Sequence, residues 1–531
     1  MSGVFRLHNT RTKSTEPFRA ADPGRVTFYS CGPTVYDDAH IGNFRAFLAA
    51  DLLRRWLESP LCRIEGVDGV AHDGPREVVH VMNITDVGHM TDDGAADGGG
   101  EDKMARAAER LREQKKAGRA HAAADLDPGD PFAVAGFYAA RFADDAKKLG
   151  LKVASEAVAK PDLMPRATAN VSGRGGMIEL IGRLVEGGAA YAVGEPGRQT
   201  VYFSVESSDD YGALSGNTLE SVRSGAGGRV DARDQSEKRH PADFLLWKSD
   251  PDHLMKWGSP WGEGYPGWHI ECSAMAMARL GDVVDVHSGG EDNIFPHHEC
   301  ERAQSCAASG EREFARQWFH ARYLMVEGRK MSKSAGTFFT ARDLFAQGHE
   351  PAALRLALVG THYRSNMNFT VQGLKDAARI VARWRSFLDK CDHAGGGPRN
   401  GRAGDAPAQT GVERAFADAM SDDLNVAGAV GAVNAWVAEA EPSRAAGASL
   451  RRLDAVLGVL GLERPEQAET TIGVFLDGLA ADGAVVSLLE ERRDAKKQKD
   501  FARADAIRDE LAGLGLAIKD VAGGRVEVSR A

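Results

Sequence analysis

The stretch Val26-Thr27-Phe28-Tyr29-Ser30-Cys31, closed by Gly32-Pro33 and followed by His40-Ile41-Gly42-Asn43, decides the fold. A run this apolar, rich in β-branched and aromatic residues, reads as a buried strand, and Gly-Pro ends it. Beyond Asn43 the apolar spacing turns helical, through Phe47, Leu48, Leu52, Leu53, Trp56 and Leu57. Val78-Val79-His80-Val81-Met82-Asn83 is a second strand. Strand, glycine turn, helix, strand is a βαβ unit, which calls for a parallel sheet with ligands at the carboxyl ends of its strands. Val283-Val284-Asp285-Val286-His287, followed by Ser-Gly-Gly, reads as another parallel strand.

At 531 residues the chain is too long for one ordinary domain, and three or four are expected. With 43% apolar and 27% charged residues it has a globular balance and enough apolar side chains for a sizeable core. It contains no run of about 18 apolar residues, and Met1 to Asn9 lacks the apolar centre of a signal peptide. Six cysteines spread over this length form no disulfide framework. Reduced thiols, a cytoplasmic location and no membrane partner are therefore expected. The net charge of −10 argues against a protein that coats nucleic acid non-specifically, although local basic patches remain compatible with RNA.

Further along, Asp92 to Asp102 (DDGAADGGGED) is acidic and glycine-rich and reads as an exposed loop. Helical patterns fill much of the region from Glu101 to Leu184, and strand character returns at Gln199 to Val205 and Asp243 to Trp247. The intervening stretch, with the polar Ser207 to His240, reads as an insertion between two halves of the sheet. His393 to Gln409 (HAGGGPRNGRAGDAPAQ) is a linker by composition, and Val412 to Leu460 a small helical bundle. Near the C-terminus Phe501, Ala504, Ile507, Leu511 and Leu514 recur on one helical face, preceded by a basic face of Arg492, Arg493, Lys496, Lys497 and Lys499. Ile518 to Val528, around Gly523-Gly524, reads as a short hairpin.

Two constellations carry chemistry. Lys330-Met331-Ser332-Lys333-Ser334 puts two ammonium groups and two hydroxyls on one loop, as suits clamping a triphosphate. Upstream, His40 offers a donor to phosphate and Gly42 allows close backbone approach. The helix beginning there adds N–H groups and a positive dipole end. A Lys/Ser run by itself is usually a solvated loop. The second constellation is Cys31, Cys272, His297 and Glu301. His297 and Glu301 are four apart and share a helix face, and two thiolates, an imidazole and a carboxylate suit zinc. Spacing alone, without a C-x-x-C, favours core thiols.

H-I-G-N and K-M-S-K-S in this order resemble the signature pair of class I aminoacyl-tRNA synthetases. C-G-P-T-V-Y-D (Cys31 to Asp37), G-W-H-I-E-C-S (Gly267 to Ser273) and F-P-H-H-E (Phe295 to Glu299) narrow the resemblance to cysteinyl-tRNA synthetases. Further family-like segments are His362-Tyr363-Arg364-Ser365, Phe416 to Asn425 and Lys499 to Leu511, so the resemblance runs from about Phe5 to Val528. The family often carries a second histidine where this chain has Asn43, whose amide still donates a hydrogen bond.

The resemblance implies an enzyme that activates L-cysteine with ATP and esterifies it to tRNA-Cys, as a monomer. It implies Zn2+ held by Cys31, Cys272, His297 and Glu301, with the substrate thiolate on the metal. Serine would forfeit that bond, and such discrimination can approach ~10⁴-fold without editing. ATP, accompanied by Mg2+, would meet His40, Gly42, Asn43, Lys330, Ser332 and Lys333. Of these, His40, Asn43, Lys330 and Lys333 are the catalytic candidates. Thr85, Trp268 and Asp292 would line the cysteine pocket, with Asp292 pairing the substrate ammonium.

The implied fold class is α/β: a Rossmann-like parallel-sheet catalytic domain split by an insertion, then an α-helical bundle that binds the anticodon and a small C-terminal α+β module. The expected divisions are 1–125 and 241–325 for the two catalytic halves and 126–240 for the insertion. Residues 326–392 form the K-M-S-K-S and stem-contact region, and 393–410 the linker. The bundle spans 411–465 and the anticodon-recognition module 480–531. The alternative is a zinc-dependent ligase joining activated cysteine to an amino sugar, which would need the catalytic half but not the residues from Val412 onward.

Overall fold

The computed structural model describes residues 3–87, 103–116, 126–217, 237–331, 337–394, 410–463, 468–470, 472–476, 482–521 and 525–530. The acidic stretch Asp92 to Asp102, nearly all of the linker and much of Ser207 to His240 lie outside them.

At the centre is a four-stranded parallel sheet. Its strands are β1 (Arg25–Ser30), β2 (Glu77–Met82), β3 (Val284–Gly290) and β4 (Ala315–Ala321), in the spatial order β4-β3-β1-β2. β1 pairs with β2 from Arg25↔Glu77 to Ser30↔Met82, and with β3 from Phe28↔Val286 to Ser30↔Ser288. The helix expected after His40 is α1 (Ile41–Glu58), which buries Phe44, Leu48, Leu53 and Trp56. From β1 the chain runs through α1 to β2 on one side, whereas β3 lies on the other. The crevice between the carboxyl ends of β1 and β3 is therefore the topological switch point, where open α/β sheets bind ligands. Two further helices frame it: α2 (Trp268–Leu280) before β3 and α3 (Glu299–Ser309) after it.

Between β2 and α2 lies the insertion. It includes helix Pro131–Lys148 and an antiparallel sheet of Ala190–Val193, Thr200–Phe203, Phe244–Ser249 and Gly264–Pro266. The division expected at residue 240 cuts through this sheet. Phe244–Ser249 pairs antiparallel with Thr200–Phe203 and never joins β1 to β4. Its apolar run identified a buried strand but not which sheet would bury it.

Beyond the catalytic sheet, helix Val371–His393 runs into the first residue assigned to the linker and packs with helices Gly411–Ser421, Val426–Glu439 and Arg444–Leu457. Trp384 Nε1 donates to Asn434 Oδ1 at 2.8 Å within this bundle. The C-terminal module pairs Leu516–Asp520 antiparallel with Val526–Arg530, as the expected hairpin requires. Gly473–Phe475 also joins that sheet, parallel to Val526–Arg530, so the module begins before residue 480.

Two readings of this module need correction. Ala504, Ile507 and Leu511 are buried, but Phe501 and Leu514, at the two ends of the helix, are 61% and 60% exposed. Arg492 does not belong to an open basic face: it is buried and forms a two-pronged pair with Asp520, which also accepts from Lys496. Among the described residues no helix is long and apolar enough to cross a membrane.

Candidate active site and metal centre

The switch-point crevice holds a cavity of about 710 Å³, lined by Cys31, Gly32, His40, Gly42, Asn43 and Asp292 among others. This volume suits a nucleotide-sized ligand. At its floor, His40 caps α1. Its Nδ1 accepts the Asn43 backbone N–H at 3.1 Å, and Asn43 Oδ1 accepts the His40 backbone N–H at 3.2 Å. With Nδ1 used as acceptor, the neutral imidazole carries its proton on Nε2. Asn43 likewise spends its carbonyl oxygen on the cap and keeps its NH2 as donor.

A side chain at Gly42 would crowd the turn. A Cβ there would come within 2.6 Å of Met331 Cε and 3.0 Å of the His40 ring. Met331 and Phe338 line the same cavity, so the described chain before and after residues 332–336 lies against the H-I-G-N turn. Ile41 N donates to Phe339 O at 3.0 Å, and the His40 ring meets Phe338 edge-on at 5.5 Å. Lys330 lies in the short strand Arg329–Lys330, paired with Met325. Ser332, Lys333 and Ser334 lie outside the described residues.

The four candidate metal ligands come from distant parts of the chain. Cys31 follows β1, Cys272 lies on the second turn of α2, His297 precedes α3 and Glu301 is in its first turn. One donor atom from each lies within 4.8 Å of every other. Cys31 Sγ is 3.6 Å from Cys272 Sγ and 3.3 Å from Glu301 Oε1, and His297 Nε2 is 2.9 Å from Glu301 Oε1. A tetrahedral zinc with Zn–S bonds of about 2.3 Å has an S···S edge of about 3.8 Å. The set therefore has the size and donor chemistry of such a site.

The electrostatics favour a cation. Burial pushes the Cys31 thiol well up, and Cys272 and Glu301 push it the same way. Burial also opposes charge on His297, but Glu301 and Cys272 outweigh it and raise the imidazole to about 10. Protons thus hold together an acidic, dry cluster that a divalent ion would bind by displacing them.

Histidines unassigned by sequence reasoning surround the cluster. His287, at the end of the apolar part of β3, meets Glu301 Oε2 at 2.8 Å through Nε2. His298 has Nε2 at 3.2 Å from Cys31 Sγ and Nδ1 at 2.7 Å from His320 Nε2. His269 meets His297 Nδ1 at 2.9 Å, which directs the Nε2 of His297 toward Glu301. Cys31, His287, His298 and Glu301 form a second group of the same tightness, but it has one thiol where the first has two. A polar residue ending a buried strand was the one available signal for His287.

The pocket candidates separate. Trp268 opens α2 and stacks on His297 at 4.2 Å. Asp292, just past β3, is exposed to the cavity; burial first, and then Asp292 and Glu291, hold the Tyr323 phenol up. Thr85 is buried, its hydroxyl accepting from Asn83 Nδ2 at 3.0 Å and its backbone bridging Thr34.

Comparison with known proteins identifies the family. The family of class I (C) tRNA synthetase catalytic domains matches residues 17–379, and the cysteinyl-tRNA ligase anticodon binding domain matches residues 480–528. The cysteine–tRNA ligase of Salinibacter ruber is 42% identical over 554 residues, covering 98% of each chain. That of a Thermus thermophilus strain is 40% identical and covers 97% of each. Among solved structures, Agrobacterium radiobacter K84 LeuRS in a ternary complex with tRNA and LeuAMS shares the fold, with a TM-score of 0.51 at 13% identity over 96% of each chain. With residues 17–379 matched by the catalytic-domain family and relatives of 40% identity or more covering at least 97% of each chain, the chain belongs to the cysteine–tRNA ligase family of class I tRNA synthetases.

Proposed function

We propose that this chain activates L-cysteine with ATP to cysteinyl-adenylate and transfers the cysteinyl group to the 3′ end of tRNA-Cys. The observation that carries this reading is the placement of Cys31. It belongs to the four-donor cluster and lines the cavity that also holds His40 and Asn43.

The attacking carboxylate of cysteine is already an anion, so adenylation needs no general base. The protein positions it and stabilises charge growing on the phosphate oxygens. His40 donates through Nε2 and Asn43 through its amide. Lys330 and Lys333 neutralise the β- and γ-phosphates, which travel with magnesium. Asp292 pairs with the substrate ammonium, and Trp268 walls the side-chain pocket. Cys31, Cys272, His297 and Glu301 would hold zinc, which supplies a soft acceptor for the substrate thiolate and none comparable for a serine hydroxyl. The helical bundle and C-terminal module receive the tRNA.

Charging of a tRNA-Cys transcript with labelled cysteine, with serine as competitor, tests the whole reading. Cysteine-dependent ATP–pyrophosphate exchange without charging would point instead to the amino-sugar ligase. Loss of both reactions in metal-replete protein would remove the enzymatic reading.

A further inference from the structure

A cluster of charged side chains outside the cavity ties its two signature segments together. Asp37 and Asp38 precede His40. Arg141 and Asp145 come from helix Pro131–Lys148 of the insertion, and Arg110 from helix Lys103–Lys116. Arg342 is in the first turn of helix Ala341–Ala346, which begins seven residues after Ser334, the end of the K-M-S-K-S segment. Arg110 pairs with Asp37. Arg141 grips Asp38 through both Nε and Nη2, each at 2.6 Å. Arg342 Nε lies 2.9 Å from Asp145 Oδ2 and 3.8 Å from Asp38 Oδ1, and its Nη2 donates to Arg141 O at 2.7 Å.

Asp145 is the unusual member. Its side chain is 1% exposed, and apart from the ion pair with Arg342 neither oxygen makes a hydrogen bond among the described residues. Burial lifts its pKa to about 6, against the pull of Arg342, with Asp38 lifting it further and Arg141 and Lys148 opposing. A buried carboxylate left without hydrogen bonds is costly. Here its main compensation is the Arg342 guanidinium, so the burial of Asp145 determines where Arg342 sits.

Arg342 is in turn two residues from Thr340, whose backbone bridges that of His40. Thr340 also caps the same helix reciprocally with Asp343. The insertion helix is anchored on α1 by Phe142, stacked on Phe44 at 5.7 Å and edge-on to Phe47 at 5.5 Å.

We infer, building on the ATP-dependent reaction proposed above, that Arg342 is a positioning residue for that reaction: clamped by Asp145 and Asp38, it sets the chain after the signature lysines against the His40 turn. It touches neither the thiol cluster nor the cavity wall near Asp292. Its effect is therefore confined to the nucleotide.

Steady-state ATP–pyrophosphate exchange with zinc-loaded full-length protein tests this. Arg342→Ala is expected to lower kcat/KM for ATP by about tenfold or more, while KM for cysteine stays within about twofold. Arg342→Lys recovers part of the loss, and Asp145→Asn shifts the same parameter in the same direction. An unchanged kcat/KM for ATP in Arg342→Ala that melts like the parent protein would overturn the inference. So would equal rises in KM for both substrates. Should Arg342→Ala fail to fold, Arg342→Lys and Asp145→Asn decide by the same criterion. Absence of exchange in the unaltered protein would overturn the functional reading together with this inference, and so differs from a defect confined to the variants.

Discussion

His40 and Asn43 cap the first catalytic helix reciprocally: the histidine Nδ1 takes the Asn43 N–H at 3.1 Å, and the asparagine Oδ1 takes the His40 N–H at 3.2 Å. One imidazole therefore serves two purposes, local stability through Nδ1 and a donor through Nε2. Replacing it by alanine should lower stability by about 0.5–2 kcal/mol, as for other lost N-caps. It should also lower kcat for pyrophosphate exchange by about 10²–10³. His40→Asn can still accept at the cap, so its melting temperature should recover while kcat does not. Parallel thermal melts and exchange rates check this separation.

The four-donor cluster predicts a different pattern for Cys272→Ser. Bound zinc, measured by elemental analysis, should fall from one per chain toward zero. Cysteine-dependent exchange should fall by at least about 10²-fold, as expected when a ligand or its support is lost. Binding of ATP alone, followed by calorimetry, should change little, because none of His40, Gly42 and Asn43 belongs to the four-donor cluster.

His80 predicts a slope in stability against pH. It is buried between Phe28, stacked at 4.3 Å, and Ser30 Oγ, at 2.7 Å from Nε2. Burial first, and then Arg54, lower it to about 3, with Asp51 opposing. The unfolded chain, near 6.5, takes up this proton before the folded one does. The contribution is thus fully present above about pH 6.5 and is lost as pH falls toward 3, by about 1.4 kcal/mol per unit. His80→Gln keeps a partner for Ser30 without titrating. Its denaturation midpoint should therefore drop less steeply between pH 7 and pH 5 than that of the parent.

Arg355 is fully buried where the catalytic and helical parts meet. It donates to Asp51 Oδ2 at 2.6 Å, Leu457 O at 2.7 Å and Leu149 O at 3.0 Å. Burial works to raise the Asp51 carboxyl, but Arg55 and Arg355 hold it well below the usual range. Removing one member of such a pair leaves a buried charge and costs about 3–5 kcal/mol. Arg355→Met should therefore lower the melting temperature sharply. Arg364→Ala, whose guanidinium is 41% exposed beside Asp423, should lower it by far less.

Deleting residues 477–531 should leave pyrophosphate exchange near the parent rate and depress kcat/KM for tRNA charging. Measuring both reactions on one preparation checks whether the C-terminal module serves RNA alone.

The order of β1, α1 and β2 and the cap at His40 are local properties. Periodicity, turn residues and close spacing carry them, so the sequence by itself was enough to determine them. The helical bundle and the C-terminal hairpin were legible for the same reason. Which buried strand joins which sheet was not: Phe244–Ser249 is as apolar as β3, yet pairs with Thr200–Phe203. Arg492 reads as one more cation of a basic face until Asp520, 28 residues away, is found opposite it. The metal centre needed four donors from Cys31 to Glu301 to converge within 4.8 Å, with His287, His298 and His269 closing around them. Arg342, Asp38 and Asp145 met only through the packing of the insertion helix on α1. Local spacing encodes helices, turns and caps because those depend on near neighbours along the chain. Burial, charge pairing and metal geometry depend on neighbours in space, and the tertiary structure alone decided those.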